Sequence, residues 1–548
     1  MSVQRAEGGD ILDIRAMRVI VRTDAGDGPV LVDDVSLTLK RGEVVGLIGE
    51  SGAGKSTIGL AAMGYTRRDC YIVGGQIIFA GKDIRLMSAS ERRELRGPRF
   101  AYIAQSAAAS FNPAITLMDQ VCEAAIRHGV LSPQAAREEA VSLFRQLDLP
   151  SPDTIGSRYP HQVSGGQLQR IMAAMAMTAK PDVLVFDEPT TALDVTTQVE
   201  CLAAFRKLIR GHGTAALYIT HDLAVVAQIA DRIMVLKRGK MVELGTSRQI
   251  LQQPKEDYTR RLVTERVAGH DFVADLAADA PPILAIDHLS ANYPGKPKVL
   301  DDVSIELRKG DTLAVVGESG SGKSTLARAV MGLLARSSGD VRFNGVSLPP
   351  RLKDRTRDQL RRVQMIYQMP DVALNPQQTL LDVIGRPVAF YFNRPRDQVR
   401  ARVLELLRQM DLPESFITRK SSELSGGQKQ RVSIARALAA EPDLIICDEV
   451  TSALDQLVGE EILRLLKKLQ DSLGVAYLFI THDLGTVKRI ANKVAVMLRG
   501  KVVAAGETAR VFAPPYHPYT ELLLSSVPEM RPEWLDEVLA RRAAKAAA

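Results

Sequence analysis

The stretch that decides the fold is VVGLIGESGAGKST, at residues 44–57. It begins with a short apolar run typical of a buried strand and continues into a loop of glycines and small polar residues. A second stretch, LAVVGESGSGKST at residues 313–325, repeats the pattern almost letter for letter. A helical pattern follows each loop, so the sequence predicts a strand, a glycine-rich loop and a helix in direct succession, twice.

Both loops match the pattern GxxxxGK[ST], which predicts nucleotide binding in this strand–loop–helix context. Glycines permit a tight loop whose backbone N–H groups surround phosphates, while the Lys reaches the β- and γ-phosphates and the Ser hydroxyl binds Mg²⁺. The expected phosphate-binding residues are Gly49, Ser51, Gly52, Gly54, Lys55, Ser56 and Thr57 in the first loop, and Gly317, Ser319, Gly320, Gly322, Lys323, Ser324 and Thr325 in the second.

The repetition runs along the whole chain. Lys55 and Lys323 are 268 positions apart, and the SGGQ segments that begin at Ser164 and Ser425 are 261 positions apart. The spacing between matching residues changes by only seven positions along the chain, which indicates two copies of one whole domain with small insertions. We expect a first domain at 1–268, a short flexible linker at 269–282, a second domain at 283–530 and a tail at 531–548, of which LARRAAKAAA (539–548) is expected to form a frayed helix.

Short apolar runs alternate with helical stretches inside each copy. The runs include VLVFD (183–187) and ALYIT (216–220) in the first copy, and DLIICD (443–448) and AYLFIT (476–481) in the second. Buried strands that alternate with helices predict a parallel sheet covered on both faces, and therefore an α/β fold.

Composition limits the possible partners. The chain has 548 residues, 46% hydrophobic and 25% charged, with a net charge of +7. Its basic residues are interspersed with acidic ones, which favours solvated helix faces and no nucleic-acid partner. Its four dispersed cysteines favour neither a disulfide framework nor a metal site. No apolar run reaches 18 residues, so we expect no membrane span and a membrane role only through a partner.

Two adjacent acids end an apolar strand in each copy. Asp187 and Asp448 are predicted to hold Mg²⁺ through water. Glu188 and Glu449, the next residues, are predicted to act as general bases on the attacking water. A strand-end acid can instead be a solvated turn residue, but the upstream glycine-rich loop favours the catalytic interpretation.

Histidine and glutamine recur at matching positions. His221 and His482 each lie 33 residues after the glutamate, which favours a γ-phosphate sensor over a structural histidine. Gln105 and Gln368 follow a short apolar run and could complete the Mg²⁺ shell.

The two SGGQ segments favour a capped helix start whose free N–H groups can approach an anion. For a single copy, a capped surface helix without a ligand is an equal alternative. The residues are Ser164, Gly165, Gly166 and Gln167 in the first copy, and Ser425, Gly426, Gly427 and Gln428 in the second.

The order of these motifs, with ALD at 192–194 and 453–455, resembles that of ABC-transporter ATPase domains. The resemblance implies two tandem P-loop NTPase (ABC ATPase) domains, each with a parallel sheet core, an antiparallel β part and a helical subdomain. It implies ATP and Mg²⁺ as cofactors. It also implies an intramolecular pseudo-dimer, in which the SGGQ helix of each domain caps the nucleotide held by the other.

Three further segments narrow the resemblance. SFNP (110–113), ALNP (373–376) and YHPYTELLLSSVPEM (516–530) are similar to segments of oligopeptide, dipeptide and nickel importer ATPases, here in a fused arrangement. The first copy keeps only PKEDYTRRL (254–262) of the last segment. This implies a peripheral protein on the cytoplasmic face of the inner membrane, two integral-membrane permease subunits, and an indirect role for a solute-binding protein. Dipeptides, oligopeptides, nickel and glutathione all remain open as the solute.

The sequence departs from this family at a few positions. Family members usually have an aromatic residue that stacks on adenine; Tyr293 fits this role in the second copy, whereas the position near Val21 is aliphatic in the first. Val163 and Val450 replace the usual Leu and Pro. None of these changes removes a catalytic group, so we expect both sites to hydrolyse ATP.

The alternative interpretation is a soluble tandem ABC ATPase acting in translation or DNA repair. The translation proteins resemble this motif order but join their domains by a long charged helical linker, whereas this linker is short and non-basic. A zinc-bearing repair ATPase needs CxxC pairs, which the sequence lacks. The HPYT segment favours the importer.

Overall fold

The computed structural model describes residues 9–24, 26–191, 193–267, 281–452 and 454–547. The chain divides into two compact units. The first is formed by Met1–Ala268 together with Pro528–Ala548, and the second by Gly269–Val527.

Two expectations from the sequence fall largely outside the described residues. Of the linker at 269–282, only the last two residues are described, and Pro282 already begins a strand. The alanines of the two ALD motifs, Ala192 and Ala453, are likewise outside the described residues. The aspartates that end these motifs are described and cap helices: Asp194 accepts a hydrogen bond from Thr197 N–H.

The elements of the first unit alternate as the sequence predicts. Its strands are β1 (Asp10–Thr23), β2 (Gly26–Lys40), β3 (Val44–Ile48), β4 (Cys70–Phe79), β5 (Lys82–Asp83), β6 (Phe100–Ile103), β7 (Val183–Asp187), β8 (Ala215–Ile219), β9 (Arg232–Lys237) and β10 (Lys240–Thr246). Its helices before the linker are α1 (Lys55–Ala62), α2 (Ala89–Leu95), α3 (Ala107–Ser110), α4 (Leu117–Arg127), α5 (Pro133–Gln146), α6 (Gly165–Met177), α7 (Val195–His212), α8 (Leu223–Ala227), α9 (Ser247–Gln252) and α10 (Asp257–Val267).

The first unit contains two sheets. One has the order β10-β9-β3-β8-β7-β6, in which β9 to β6 are parallel neighbours and β10 is antiparallel to β9. The strands β3, β7 and β8 are buried along their whole length, which is typical of a parallel sheet covered on both faces. The other sheet is antiparallel, with the order β2-β1-β4-β5. The predicted parallel core is therefore confirmed.

One hydrophobic core joins the two sheets to the helix after the glycine-rich loop. Leu12 and Leu39 of the antiparallel sheet, Leu47 of β3 and Ile58 of α1 are all fully buried in it. Helices α4, α5 and α6 pack on one another as a separate helical part. The core therefore fixes the loop between β3 and α1 from both sheets.

The second unit repeats this arrangement. Its strands are β11 (Pro282–Asn292), β12 (Lys298–Arg308), β13 (Thr312–Val316), β14 (Arg336–Phe343), β15 (Val346–Ser347), β16 (Val363–Ile366), β17 (Leu444–Asp448), β18 (Ala476–Ile480), β19 (Lys493–Leu498) and β20 (Lys501–Glu507). Its helices are α11 (Lys323–Met331), α12 (Arg357–Arg362), α13 (Pro370–Ala373), α14 (Leu380–Phe392), α15 (Arg396–Gln409), α16 (Gly426–Leu438), α17 (Gln456–Leu473), α18 (Leu484–Ile490), α19 (Thr508–Val511) and α20 (Pro518–Ser525).

The sheets of the second unit have the same connectivity as those of the first. The order β20-β19-β13-β18-β17-β16 corresponds strand for strand to the order found in the first unit, and β12-β11-β14-β15 is again antiparallel. Strand-for-strand agreement supports duplication of a whole domain. Over the described ranges of both units, no helix has the length and apolar character that a membrane crossing requires.

The last segment of the chain returns to the first unit. The sequence leads us to expect a tail at 531–548 that ends in a frayed helix; the structure has a helix α21 (Trp534–Ala547), and Pro528–Ala548 belongs to the first unit. Trp534 and Leu535 are buried. The side-chain amide of Gln228 donates to the carbonyls of Glu529 and Arg531, and its oxygen accepts from Leu535 N–H at 3.1 Å.

Leu535→Ala is expected to lower the free energy of unfolding of the first unit by about 2–5 kcal/mol, because it leaves a cavity under a side chain that is fully buried. Hydrogen exchange followed by mass spectrometry measures the loss of protection in peptides around Gln228. Leu523→Ala, at a buried position of α20 in the second unit, is the matched control and should loosen peptides of that unit. Loss of protection in the second unit on Leu535→Ala would contradict this prediction.

Candidate active site

The two glycine-rich loops lie at the carboxyl end of the central strand of each parallel sheet. Each connects strand to helix, β3 to α1 and β13 to α11. The first glycine of each loop touches a neighbouring strand: a Cβ on Gly49 would lie 2.2 Å from the Leu236 carbonyl oxygen, and one on Gly317 would lie 2.2 Å from that of Met497. These positions admit only glycine, which explains why the pattern begins with it.

The middle of each loop is open. Gly52 and Gly320 both have φ of +81° and nothing within 4 Å of a Cβ position. The Lys55 ammonium donates to the carbonyls of Gly49 at 2.6 Å and Glu50 at 2.9 Å, and Lys323 makes the equivalent bonds. An open glycine loop with a held ammonium at a helix N-terminus fits the phosphates of a nucleotide.

A serine and an aspartate meet beside each loop. Ser56 Oγ donates to Asp187 Oδ1 at 2.7 Å, and Ser324 Oγ donates to Asp448 Oδ1 at 3.2 Å. Burial, followed by the charge of Glu449, raises the pKa of Asp448. A hydroxyl and a carboxylate held together supply the hard oxygen ligands that Mg²⁺ prefers, so this pair fits the predicted metal.

The predicted base and the predicted sensor are in contact in both units. Glu188 Oε2 lies 3.2 Å from His221 Nδ1, and Glu449 Oε1 lies 3.4 Å from His482 Nδ1. Burial lowers the pKa of His221, but the hydrogen bond and charge of Glu188 outweigh it, so the pKa lies above its ordinary value. Burial raises the pKa of Glu188, but the hydrogen bond and charge of His221 lower it by more, so the pKa of Glu188 lies below its ordinary value. The same directions hold for Glu449 and His482, so in each pair the carboxylate favours the protonated imidazole and the imidazole favours the ionised carboxylate.

The backbone of both glutamates is left-handed. Glu188 and Glu449 each have φ of 50°, a region that side chains other than glycine enter at a cost. Their N–H groups donate at 2.9 Å to the carbonyls of Ile219 and Ile480, the last residues of the neighbouring strands. This bond holds the strained conformation and aims the carboxylate at the histidine that follows the neighbouring strand.

The glutamines contact the glutamates in this structure. Gln105 Nε2 donates to Glu188 Oε2 at 3.4 Å, and Gln368 Nε2 donates to Glu449 Oε2 at 2.7 Å. The sequence leads us to expect these side chains beside the Mg²⁺ pair. The structure brings them to the general-base candidate.

Each SGGQ segment begins a helix with a reciprocal cap. Ser164 Oγ accepts from Gln167 N–H, and Gln167 Oε1 accepts from Ser164 N–H; Ser425 and Gln428 do the same. A Cβ on Gly166 would lie 2.1 Å from Thr197 Cγ2 of α7, and one on Gly427 would lie 2.5 Å from Val458 Cγ1.

The first glycines of the two segments, Gly165 and Gly426, are exposed and have no atom closer than 3.9 Å to a Cβ position. The second glycine therefore serves helix packing, while the first leaves the helix N-terminus accessible.

Tyr293 lies beside the loop helix of the second unit. It follows β11, and its hydroxyl accepts from Arg328 Nη1 of α11 at 2.9 Å. At the matching place in the first unit, Val21 is part of β1 and is paired with Cys70. The two units therefore differ next to their glycine-rich loops as the sequence predicts.

Sequence reasoning missed Tyr102. Its hydroxyl donates to Asp187 Oδ2 at 2.6 Å, so Asp187 is shared between this tyrosine and Ser56. Burial and then the bond to Asp187 raise the pKa of Tyr102. The matching residue of the second unit is Met365. Comparing the two copies three positions before each glutamine would have revealed this difference.

Replacing Glu188 with Gln is expected to lower the pKa of His221, because the charge that raises it is removed while burial remains. NMR titration of the imidazole signals in the nucleotide-free protein measures the shift. Glu449→Gln should lower the pKa of His482 alone. Glu138→Gln, on the exposed face of α5, should change the pKa of neither histidine. An ordinary pKa for His221 in the unaltered protein would show that the ion pair does not form.

Comparisons with known proteins agree with this geometry. The family model described as ABC transporter matches residues 32–191 and 300–452, and the model described as oligopeptide/dipeptide transporter, C-terminal region, matches residues 503–547. The glutathione import ATP-binding proteins GsiA of Shigella boydii serotype 4 (strain Sb227) and Escherichia coli (strain K12) are each 37% identical over 570 residues. Each alignment covers 96% of this chain and 91% of the relative.

Solved structures of single domains also match. The structure of cbiO1 from Clostridium perfringens, described as part of the ABC transporter complex cbiONQ, is 30% identical, covers 42% of this chain and 91% of its own, and has a TM-score of 0.39. The match to the oligopeptide/dipeptide transporter C-terminal region and the alignments with the GsiA proteins favour a transport ATPase over the translation or DNA-repair alternative. With two matched domains and near-complete alignment to import ATP-binding proteins, the chain belongs to the ABC transporter family as a tandem ATPase.

Proposed function

We propose that the chain hydrolyses ATP at two sites and thereby drives import of a peptide-type solute through a separate membrane permease. The observation that carries this proposal is the glutamate–histidine pair found beside each glycine-rich loop. Similarity to glutathione import ATP-binding proteins over 96% of the chain supports import. Glutathione is a small peptide, so it joins dipeptides and oligopeptides as the leading solute class, and nickel is the remaining alternative.

The glycine-rich loops would bind the phosphates. The ammonium groups of Lys55 and Lys323 lie on the first carbonyl of each loop, and we propose that they hold the β- and γ-phosphates together with the N–H groups of the loop. The ammonium would exchange its loop carbonyls for phosphate oxygens. Tyr293 would pack against the adenine at the second site.

The serine–aspartate pairs would hold Mg²⁺. Bound there, the ion would neutralise charge on the β- and γ-phosphates. At the first site Ser56 is the proposed ligand and Asp187 would hold the ion through water, and Ser324 and Asp448 would do the same at the second. Gln105 and Gln368 would complete the Mg²⁺ shell only after breaking their hydrogen bonds to Glu188 and Glu449.

The glutamates would act as general bases. Because the pKa of Glu188 is held below its ordinary value, the carboxylate is ionised and can accept a proton from the attacking water. In this structure, however, both His221 and Gln105 contact the carboxylate of Glu188 at Oε2. We infer that the γ-phosphate draws the histidine away from the glutamate, so that the base is released only when ATP is present.

The exposed SGGQ helix starts would complete the sites in trans. Ser164 and Gly165 would cap the nucleotide held by Lys323, and Ser425 and Gly426 the nucleotide held by Lys55. The accessible N-terminus of each helix supports this proposal. Two ATP molecules would then join the two domains as an intramolecular pseudo-dimer, and hydrolysis would reopen it.

A groove in the first unit is proposed to receive a permease helix. It has a volume of about 730 Å³ and is lined by Phe100 and Tyr102 of β6, Gln120 and Arg127 of α4, and Met175 of α6. Tyr102 connects this groove to Asp187, so a bound helix would touch a residue of the ATP site. The proposed partners are two permease subunits on the cytoplasmic face of the inner membrane, with a solute-binding protein acting indirectly.

Replacing both Glu188 and Glu449 with Gln is expected to preserve ATP binding and to lower turnover by about 10²–10⁴-fold, the usual effect of losing a general base. ATPase rates of the full chain measure this. Uptake of labelled glutathione and oligopeptides by cells in which the protein has been deleted and the variant restored tests the transport role. Glu138→Gln is the matched control. Near-normal hydrolysis by the double variant would refute the assignment of the base.

Ser425→Arg is expected to weaken nucleotide binding at the loop of Lys55 more than at the loop of Lys323. The helix start at Ser425 is proposed to cap the nucleotide at the loop of Lys55, and a bulky cation would obstruct it. Photolabelling with 8-azido-ATP, followed by peptide mapping, reports each loop separately. Ser164→Arg should give the reverse pattern. Ser425→Ala controls for the lost helix cap, which costs about 1 kcal/mol. Damage confined to the loop of the altered domain itself would exclude trans pairing.

A further inference from the structure

One tyrosine touches each P-loop from outside the matched ABC ATPase region. In the second unit the Tyr519 hydroxyl accepts a hydrogen bond from the backbone N–H of Glu318 at 2.9 Å. In the first unit the Tyr258 hydroxyl donates to Glu50 Oε1 at 3.1 Å. Glu50 and Glu318 are the second residues of their loops, so the same position is held in both units.

These tyrosines are placed by short helices that follow the last strands. Tyr258 and Tyr519 are only 8% and 7% exposed. In the second unit, His517 Nδ1 accepts from Tyr519 N–H and Pro518 occupies the first helical position, which fixes where α20 begins. The HPYT segment therefore builds a rigid helix start that delivers one hydroxyl to the loop.

The residues that the tyrosines contact, Glu50 and Glu318, make several of the hydrogen bonds that shape each loop. The carbonyl of Glu318 accepts from Lys323 Nζ at 2.8 Å and from Ser321 N–H at 3.1 Å, while its N–H donates to Tyr519. The Glu50 carbonyl accepts the two equivalent bonds. A displacement of this residue would therefore move both the loop turn and the P-loop lysine.

We propose that Tyr258 and Tyr519 are positioning residues that hold each P-loop in a shape ready for the phosphates of ATP. The proposal rests on ATP binding at the P-loops as described above. Preorganisation of this kind strengthens binding of substrate and transition state alike, so losing it raises KM without changing kcat. The general bases Glu188 and Glu449 are untouched.

The two contacts differ in chemistry, which provides an internal test. Tyr258 holds a side-chain carboxylate, whereas Tyr519 holds a backbone N–H. Glu50→Ala therefore removes the same bond as Tyr258→Phe, and the double variant should weaken binding no more than either single variant. Glu318→Ala leaves the bond of Tyr519 in place and should not reproduce the effect of Tyr519→Phe.

The experiment measures the dissociation constant of each loop in the full chain by photolabelling with 8-azido-ATP, together with KM and kcat for ATP. Tyr258→Phe and Tyr519→Phe are each expected to weaken binding at the loop of their own unit by about 2–10-fold, the scale of one hydrogen bond. The other loop should keep its affinity, KM should rise, and kcat should stay unchanged.

Leu262→Ala and Leu523→Ala, at buried positions of α10 and α20, are the matched controls for packing. They should lower thermal stability and leave the affinities of both loops unchanged. Unaltered affinities in the Tyr→Phe variants, equal loss of affinity in the Leu controls, or additive losses for Glu50→Ala and Tyr258→Phe would each overturn the inference. Failure of the unaltered protein to label at either loop would instead defeat the proposed function.

Discussion

The convergence of parallel strand ends is the constraint on which the rest of the site depends. In the first unit β3, β8, β7 and β6 are consecutive neighbours that run in one direction. The P-loop, His221 and Gln105 each follow one of these strands, and Asp187 is the last residue of another. Because carboxyl ends of parallel strands share one edge of a sheet, residues far apart in sequence reach hydrogen-bonding distance without any further device. The second unit obtains the same site from the same strand order.

The duplicated units are alike where the chemistry requires it and differ in the surrounding residues. The glutamate–histidine and serine–aspartate pairs occur in both. Tyr102 bonds to the aspartate only in the first unit, where the second has Met365. Beside the loop helix the second unit has Tyr293, whereas the matching residue of the first is Val21. Under the proposed function, differences of this kind would adjust nucleotide affinity and metal binding while leaving both proposed bases in place, so they favour unequal sites over one inactive site.

Much of the site could be read from sequence because each motif encodes a local structure. The glycine-rich loops, the buried strands and the helix caps depend on neighbouring residues, and the structure has them where the pattern predicts. The contact of Gln105 with Glu188 joins residues 83 positions apart, and no local pattern specifies which of two nearby acids the amide reaches. Tyr102 was missed for the same reason. The placement of the segment around Glu529, Arg531 and Leu535 also depends on a distant residue, since Gln228 supplies hydrogen bonds to all three.

The return of the final helix to the first unit has a consequence for biosynthesis. Between residue 268 and residue 528 the ribosome must add the entire second unit, which takes roughly 10–50 s at typical elongation rates. Throughout that interval Gln228 lacks the partners that the end of the chain later supplies, and the surface that later buries Trp534 and Leu535 remains uncovered. The burial of Trp534 and Leu535 against the first unit can therefore form only after the whole second unit has been synthesised.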